Sequence, residues 1–219
     1  YNKGDFKVHG NWGSSARGHS DNLGLFTNLG YKVNDTTILS SHLRGDKHKY
    51  SEENLTYRIN ATKLFDNFTL SLSESTGLRH PDLYVLHGSN PSGSYKAMKT
   101  TKAETSLTRE LSVKYNLSDV ISLESTAYKG SVSDVLNRGT STNGYNEIID
   151  IEQEGLENSF IFKGDDQKLI LSSTLSKSRE GNGRPQLRRP EKQFGINYTK
   201  KVISNFFGPF DLKYDYRHI

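Results

Sequence analysis

The run that opens at Asp66-Asn67 alternates strictly, with Phe68, Leu70 and Leu72 on one side and Asn67, Thr69, Ser71 and Ser73 on the other. A period of two is that of a β-strand with one face in an apolar medium and one in a polar medium. The strand begins at a tight turn and ends in a long segment rich in Gly, Pro, Ser and Asn, STGLRHPDLYVLHGSNPSGS. One end is short and the other elaborate.

The same asymmetry recurs along the chain. Phe6, Val8 and Trp12 share a parity and lead into a polar loop, and Leu23, Leu25, Leu29, Tyr31 and Val33 descend to a short turn at Asn34-Asp35. TTILSSHLRGD rises to a polar stretch around Lys47 to Glu53, and NLTYRINATKLF returns to Asp66-Asn67. SLTRELSVKY and VISLESTAYKG flank a short turn at Asn116 to Asp119, before a long polar loop from Ser131 to about Tyr145. EIIDIEQEGLENSFIF and KLILSSTLSKS flank KGDD, and REGNGRPQLRR precedes QFGINYTKK and FDLKYDYRH. The pattern predicts about eleven strands with connections alternately short and long, and no helix beyond a turn near Pro81 to His87.

Composition narrows what such a sheet can be. Of 219 residues only 32% are hydrophobic, and mean hydropathy is -0.72. That is little for a soluble core of this size. Twelve Tyr and ten Phe in regular alternation argue against disorder. A sheet whose second face stays polar throughout needs only half its strand residues to be apolar. The absence of cysteine excludes disulfides and thiolate metal sites. Lys plus Arg exceed Asp plus Glu by 29 − 25 = 4, too small a surplus to suggest nucleic-acid binding. No run reaches the roughly 18 apolar residues of a membrane helix. Membrane strands escape that test.

Ten-residue strands rising about 3.3 Å per residue and tilted about 45° span about 24 Å, close to the apolar band of an outer-membrane barrel. The expected fold class is therefore all-β, an antiparallel transmembrane β-barrel. A soluble β-sandwich also alternates, but its strands are shorter, about five or six residues, and its loops need not take sides. Arg109 shares the parity of Leu107 and Leu111. A cation on the lipid face costs roughly 2–4 kcal/mol at mid-bilayer and little near an interface. The reading places Arg109 near the loop-side boundary and Lys63 beside a short turn, both able to snorkel.

Thr76 to Gly88, TGLRHPDLYVLHG, resembles a segment of TonB-dependent outer-membrane receptors in which a strand ends in a Gly-Phe-Arg-Ala-Pro-x-Leu-x-x-Leu-like run. Arg79, Pro81, Leu83, Tyr84, Leu86 and Gly88 match. Asn90-Pro91 and Glu104 resemble the following segment, although Ala97 and Met98 stand where Pro-Glu is usual. Asn146 with Glu154-Gly155-Leu156-Glu157, Leu187-Arg188-Arg189-Pro190 and Leu43-Arg44-Gly45-Asp46 resemble three further landmarks. Each is weak alone, and five in family order over nearly the whole chain are specific together. Cobalamin receptors look nearest, and siderophore receptors share the landmarks.

The resemblance implies a 22-stranded barrel filled by a plug. Residues 1–219 then read as an internal fragment, about eleven strands without plug or TonB box. Eleven strands cannot close alone in lipid. It further implies the bacterial outer membrane as location and import of a scarce chelate, cobalamin or an iron siderophore. The implied partners are the TonB complex through the plug, outer-membrane lipid and lipopolysaccharide, and the chelate itself. No catalytic residue and no cofactor are expected. Short turns would face the periplasm, and residues 13–21, 45–53, 76–101, 131–145 and 179–188 would face outward.

Tyr84, His87, Tyr95 and Tyr145 are the candidate ligand contacts, since loop aromatics can stack on a planar or macrocyclic ligand. Girdle or loop packing explains each of them equally well. His42, Asp46 and His48, and likewise His80, Asp82 and His87, have metal-like spacing, but an ordinary polar loop is the better reading without Cys or an aligning helix. Gly181-Asn182-Gly183 lacks the setting of a phosphate loop, and no Ser-His-Asp set has a nucleophile-elbow context. Arg184, Arg188, Arg189 and Lys192 form a basic cluster suited to lipopolysaccharide phosphate or lumenal pairing. A soluble β-rich adhesin or glycan-binding module is the competing class.

Overall fold

The computed structural model describes residues 2–9, 15–49, 51–81, 102–138, 146–186, 189–204, 206 and 208–219. They form eleven strands: β1 (Asn2–His9), β2 (Ser15–Asn34), β3 (Thr37–His48), β4 (Ser51–Leu64), β5 (Phe68–Arg79), β6 (Glu104–Asn116), β7 (Ile121–Arg138), β8 (Asn146–Lys163), β9 (Gln167–Glu180), β10 (Lys192–Ser204) and β11 (Gly208–His218). Each strand pairs with the next in one antiparallel meander, so β1 and β11 have one neighbour apiece among the described residues. Every regular element among those residues is a strand, as the alternation predicts.

The alternation becomes two faces. Leu70, Val113 and Ser125 share one rung and Phe68, Tyr115 and Leu123 another, so the apolar parities of β5, β6 and β7 coincide. There is little core in the ordinary sense. Among the described residues the buried apolar side chains are Ala103, Ile151 and Pro81. Leu25 and Leu55 are 75% and 71% exposed, which calls for an apolar medium outside the sheet. The opposite face is polar and internally bonded. Arg58 lies 3.6 Å from Glu110, which also accepts from Ser73 Oγ at 3.0 Å, and Lys114 pairs with Glu124 at 2.9 Å.

Register fixes the strand tilt. One rung runs Tyr31, Leu39, Ala61, Leu72, Leu111, Ala127, Leu156, Leu175 and Lys192, from β2 to β10. Tyr31 stands three residues from the end of β2 at its short turn (34 − 31), whereas Lys192 stands twelve from the end of β10 (204 − 192). The stagger is nine residues over eight strand steps. With strands about 4.8 Å apart and a rise of about 3.3 Å per residue, this is a tilt of about 38°, as barrel closure requires.

The strands overrun the expected loops. Residues 45–53 are not a long loop: β3 continues to His48 and β4 starts at Ser51, only three positions further on in the sequence. Similarly β5 reaches Arg79, β7 reaches Arg138 and β9 reaches Glu180, so parts of the segments 76–101, 131–145 and 179–188 are strand. A polar run suggests a loop, but a strand that has cleared an apolar layer has water on both faces and loses its alternation. β7 carries a register shift between Val132 and Val135, where Asp134 adopts φ 58° and its N–H donates to Asp150 Oδ1 at 3.1 Å.

Candidate functional site

On the long-connection side, the ends of β3, β4, β5 and β6 carry a neck of polar contacts. Arg79 and Glu104 are register partners closing the base of the connection between β5 and β6, with Nη1 3.4 Å from Oε2 and the Glu104 side chain 12% exposed. Pro81 and Ala103, one on each side of that base, are buried. This gives Arg79 and Pro81 of the family-like motif a physical role: they seal the root of the longest connection.

Beside the neck, Arg44 grips Asp46 through two hydrogen bonds, Nε to Oδ2 at 2.6 Å and Nη2 to Oδ1 at 2.7 Å. Gly24 lies opposite Asp46, where a Cβ would stand 2.9 Å from Oδ1 and 3.0 Å from Arg44 Nη2. The Leu43-Arg44-Gly45-Asp46 motif is thus a bidentate ion pair on the polar face, where a planar guanidinium matches a carboxylate. His48 and His80 stack with ring centroids 4.3 Å apart, and Ser51 Oγ and His80 Nδ1 share a hydrogen bond of 2.7 Å. His42 turns elsewhere, donating from Nδ1 to Asn28 Oδ1 at 2.6 Å. His42, Asp46 and His48 therefore do not converge, and the described residues hold no group of three metal-binding side chains.

Both stacked rings favour the neutral form. Burial lowers the His48 pKa below the usual 6.5, and a charge on His80 would lower it further. Burial is also the main influence on His80, opposed by Asp46 and reinforced by Arg44. His80 Nε2 is buried without a partner among the described residues, so a second ring proton would have no acceptor there. Folded values below the unfolded one mean that the stack contributes fully above about pH 6.5 and weakens as pH falls through the folded values. Carbon-13 NMR of the two imidazoles in the detergent-solubilised protein should show both titrating below 6.5. A midpoint above 6.5 for either ring would contradict this account.

The remaining predicted site residues divide cleanly. Tyr84, His87, Tyr95 and Tyr145, together with Leu83, Gly88 and Arg188, lie outside the described residues, as do Asp82 and Leu86. Pro190 O accepts from Ser176 Oγ at 3.0 Å, and Gln186 N–H donates to Ser178 O at 2.9 Å, so residues 184–186 and 190–191 lie back along β9. Gly181-Asn182-Gly183 is the turn of that return, with Gly183 at φ 82° and its N–H donating to Glu180 O at 2.7 Å.

Two features escaped the sequence reading. Gly155, in the Glu154-Gly155-Leu156-Glu157 motif, lies opposite Tyr128, whose ring leans across it: a Cβ there would stand 2.6 Å from Tyr128 Cζ and 2.7 Å from Leu175 O. And Arg109 does not stand alone. Its Nε donates to Glu74 Oε2 at 2.6 Å, and Tyr57 Oη donates to Glu74 Oε1 at 2.6 Å, all on the apolar face. Glu74 has the parity of Leu70 and Leu72, which was the available signal. Lys63, at its short turn, donates to Thr36 Oγ1 at 2.7 Å.

Comparison with known proteins bears on the whole sheet. A family model described as TonB dependent receptor-like, beta-barrel, matches residues 2–216. No curated protein matches the sequence. The siderophore receptor PirA from Acinetobacter baumannii has the same fold at TM-score 0.72 and 14% identity, covering 98% of this chain and 41% of that one. The ferric enterobactin receptor PfeA from Pseudomonas aeruginosa, in complex with enterobactin, gives 0.70 at 19% identity, covering 85% and 31%. The copper transporter OprC gives 0.68 at 17%, covering 86% and 34%. The chain spans less than half the length of each. An eleven-stranded meander with barrel stagger, one face apolar and one ion-paired, and a family match over nearly its whole length, establishes that this chain belongs to the TonB-dependent receptor β-barrel family of the bacterial outer membrane.

Proposed function

We propose that the receptor carrying this chain imports a scarce metal chelate, an iron siderophore or cobalamin, across the outer membrane with energy delivered through TonB. The observation that carries this reading is the family match over residues 2–216, because the family is one of transport receptors. The sheet supports it: Arg58, Ser73, Glu110, Lys114 and Glu124 give the inner wall a hydrogen-bonded polar lining against which a plug can pack and rearrange. The siderophore arm draws further support from PirA and PfeA. On this reading the chain is an internal part of a larger barrel whose plug couples to the motor. The barrel supplies wall and loops, performs no chemistry, and presents Tyr84, His87, Tyr95 and Tyr145 to the cargo.

Growth under depletion tests it. A strain lacking the intact receptor should lose growth on one chelate as sole source of iron or of cobalamin. Restoring the wild-type gene should recover growth, and dissipating the proton-motive force should abolish uptake. Replacing the four loop residues by alanine should weaken uptake about tenfold or more, as expected when aromatic anchors are truncated. Unchanged uptake of every chelate in the deletion strain, or uptake indifferent to the proton-motive force, would overturn the proposal.

A further inference from the structure

On the apolar face, between β7, β8, β9 and the start of β10, lies a shallow groove of about 500 Å³. Its floor is Leu156 and Leu175, which are register partners, and its rim carries Lys129, Lys177 and Lys192, with Glu154 between the first two in register. Parity places the three lysines and two leucines on the same face as Phe160 and Leu171.

Depth gives the groove its meaning. At the tilt found above, each residue climbs about 2.6 Å from its short turn. Leu156 and Leu175 then stand roughly 18–21 Å above the turns, and Lys177 and Lys192 roughly 26–31 Å above them, with Lys129 near 21 Å and long enough to snorkel upward. The apolar band of such barrels is about 25 Å tall. The leucines therefore end inside it, and the ammonium groups come out where lipid headgroups sit.

These lysines are also unused. Elsewhere Lys32 pairs with Asp35, Lys47 with Glu53 and Lys114 with Glu124. Lys129, Lys177 and Lys192 have no ion pair or side-chain hydrogen bond among the described residues, although Glu154 lies between two of them and Glu191 also borders the groove. Three lysines against two glutamates leave a formal surplus of 3 − 2 = +1, carried on three unpartnered ammonium groups. The match for apolar floor plus free cations at that level is an amphiphile whose anionic head stands over its acyl chains. Phosphate suits several ammonium donors at once.

We propose that this groove binds a phosphorylated lipid of the outer leaflet, its acyl chains lying on Leu156 and Leu175 and its phosphate held among Lys129, Lys177 and Lys192. Of the basic cluster read from the sequence, only Lys192 takes part. The inference needs the outer-membrane setting but not the cargo, so its failure would leave the import reading standing, and the reverse.

The probes are bis-phosphorylated lipid A and its dephosphorylated form, titrated against the intact receptor in detergent with native mass spectrometry as readout. Wild type should bind the phosphorylated lipid at least tenfold more tightly. The triple variant Lys129→Ala, Lys177→Ala, Lys192→Ala should lose that preference, and the triple arginine variant should keep it. Resistance of the folded band to heat-dependent gel shift reports folding. Should the alanine variant fail to fold, the same substitutions to glutamine, together with the wild-type lipid pair, decide the matter. Equal binding of both lipids by wild type, or an unchanged preference in a folded triple variant, would refute the site.

Discussion

Replacing Glu74 by leucine is expected to reduce folded receptor in the outer membrane more than replacing Glu74 and Arg109 together. Glu74 accepts from both Arg109 Nε and Tyr57 Oη, and the three side chains stand on the lipid-facing side six or seven residues above their short turns. That places them within the apolar band. Removing only the carboxylate leaves a guanidinium facing acyl chains, and a phenol without its acceptor. Removing both charges leaves an apolar surface continuous with Leu72 and Leu111. An ion pair in a low-dielectric setting is costly to halve and often neutral to delete. Unfolding in lipid vesicles should therefore show Glu74→Leu lowering the folded-to-unfolded ratio by roughly tenfold or more, with Glu74→Leu/Arg109→Leu close to wild type. A single variant as stable as the double would mean that Arg109 reaches water unaided.

Gly155→Val is expected to be worse tolerated than any substitution on the exposed rims. The position is closed from two directions, by the Tyr128 ring and by the carbonyl oxygen of Leu175, both nearer than any real Cβ contact. A side chain can swing away, whereas a carbonyl in a ladder can move only with its strand. Overpacking of this kind costs about 1–3 kcal/mol. The companion variant Tyr128→Ala separates the two contacts. Combined with Gly155→Val it should restore part of the stability and not all, because the carbonyl remains. Alone it should destabilise mildly, since the ring shields a glycine that has no side chain to cover its own backbone. Heat-dependent gel mobility of wild type and the three variants gives the ranking, and full rescue by Tyr128→Ala would show that the carbonyl contact relaxes freely.

The architecture was legible because a strand between lipid and lumen must alternate, and Phe68, Leu70 and Leu72 do so without exception. Legibility ended where that constraint ends. Above the membrane β3 and β4 have water on both sides, so residues 47–48 and 51–53 carry charges at both parities and read as loop although they belong to strands. Glu74 was overlooked for the opposite reason. It sits at an apolar position in an otherwise regular strand, and only cross-strand register shows that Arg109 and Tyr57 stand close enough to satisfy it. Gly155 was legible as a motif and opaque as a cause, because what excludes a side chain there comes from the neighbouring strands. The loop aromatics remain readings of the sequence, since specificity in long connections follows no two-residue period.

The stagger of the rungs has a consequence for how the wall holds its alignment. A one-residue slip between neighbouring strands exchanges the two faces and is forbidden by polarity alone. A two-residue slip keeps every face correct, and nothing in the alternation opposes it. It would, however, raise or lower the slipped strands by about 5 Å relative to their turns, lifting Leu25 or Leu55 into water at one edge or drawing Lys177 into oil. The rung from Tyr31 to Lys192 climbs through roughly 23 Å over its eight steps, nearly the whole depth of the bilayer. Membrane thickness thus acts as a second lock on strand pairing, rejecting the slips that side-chain alternation is blind to.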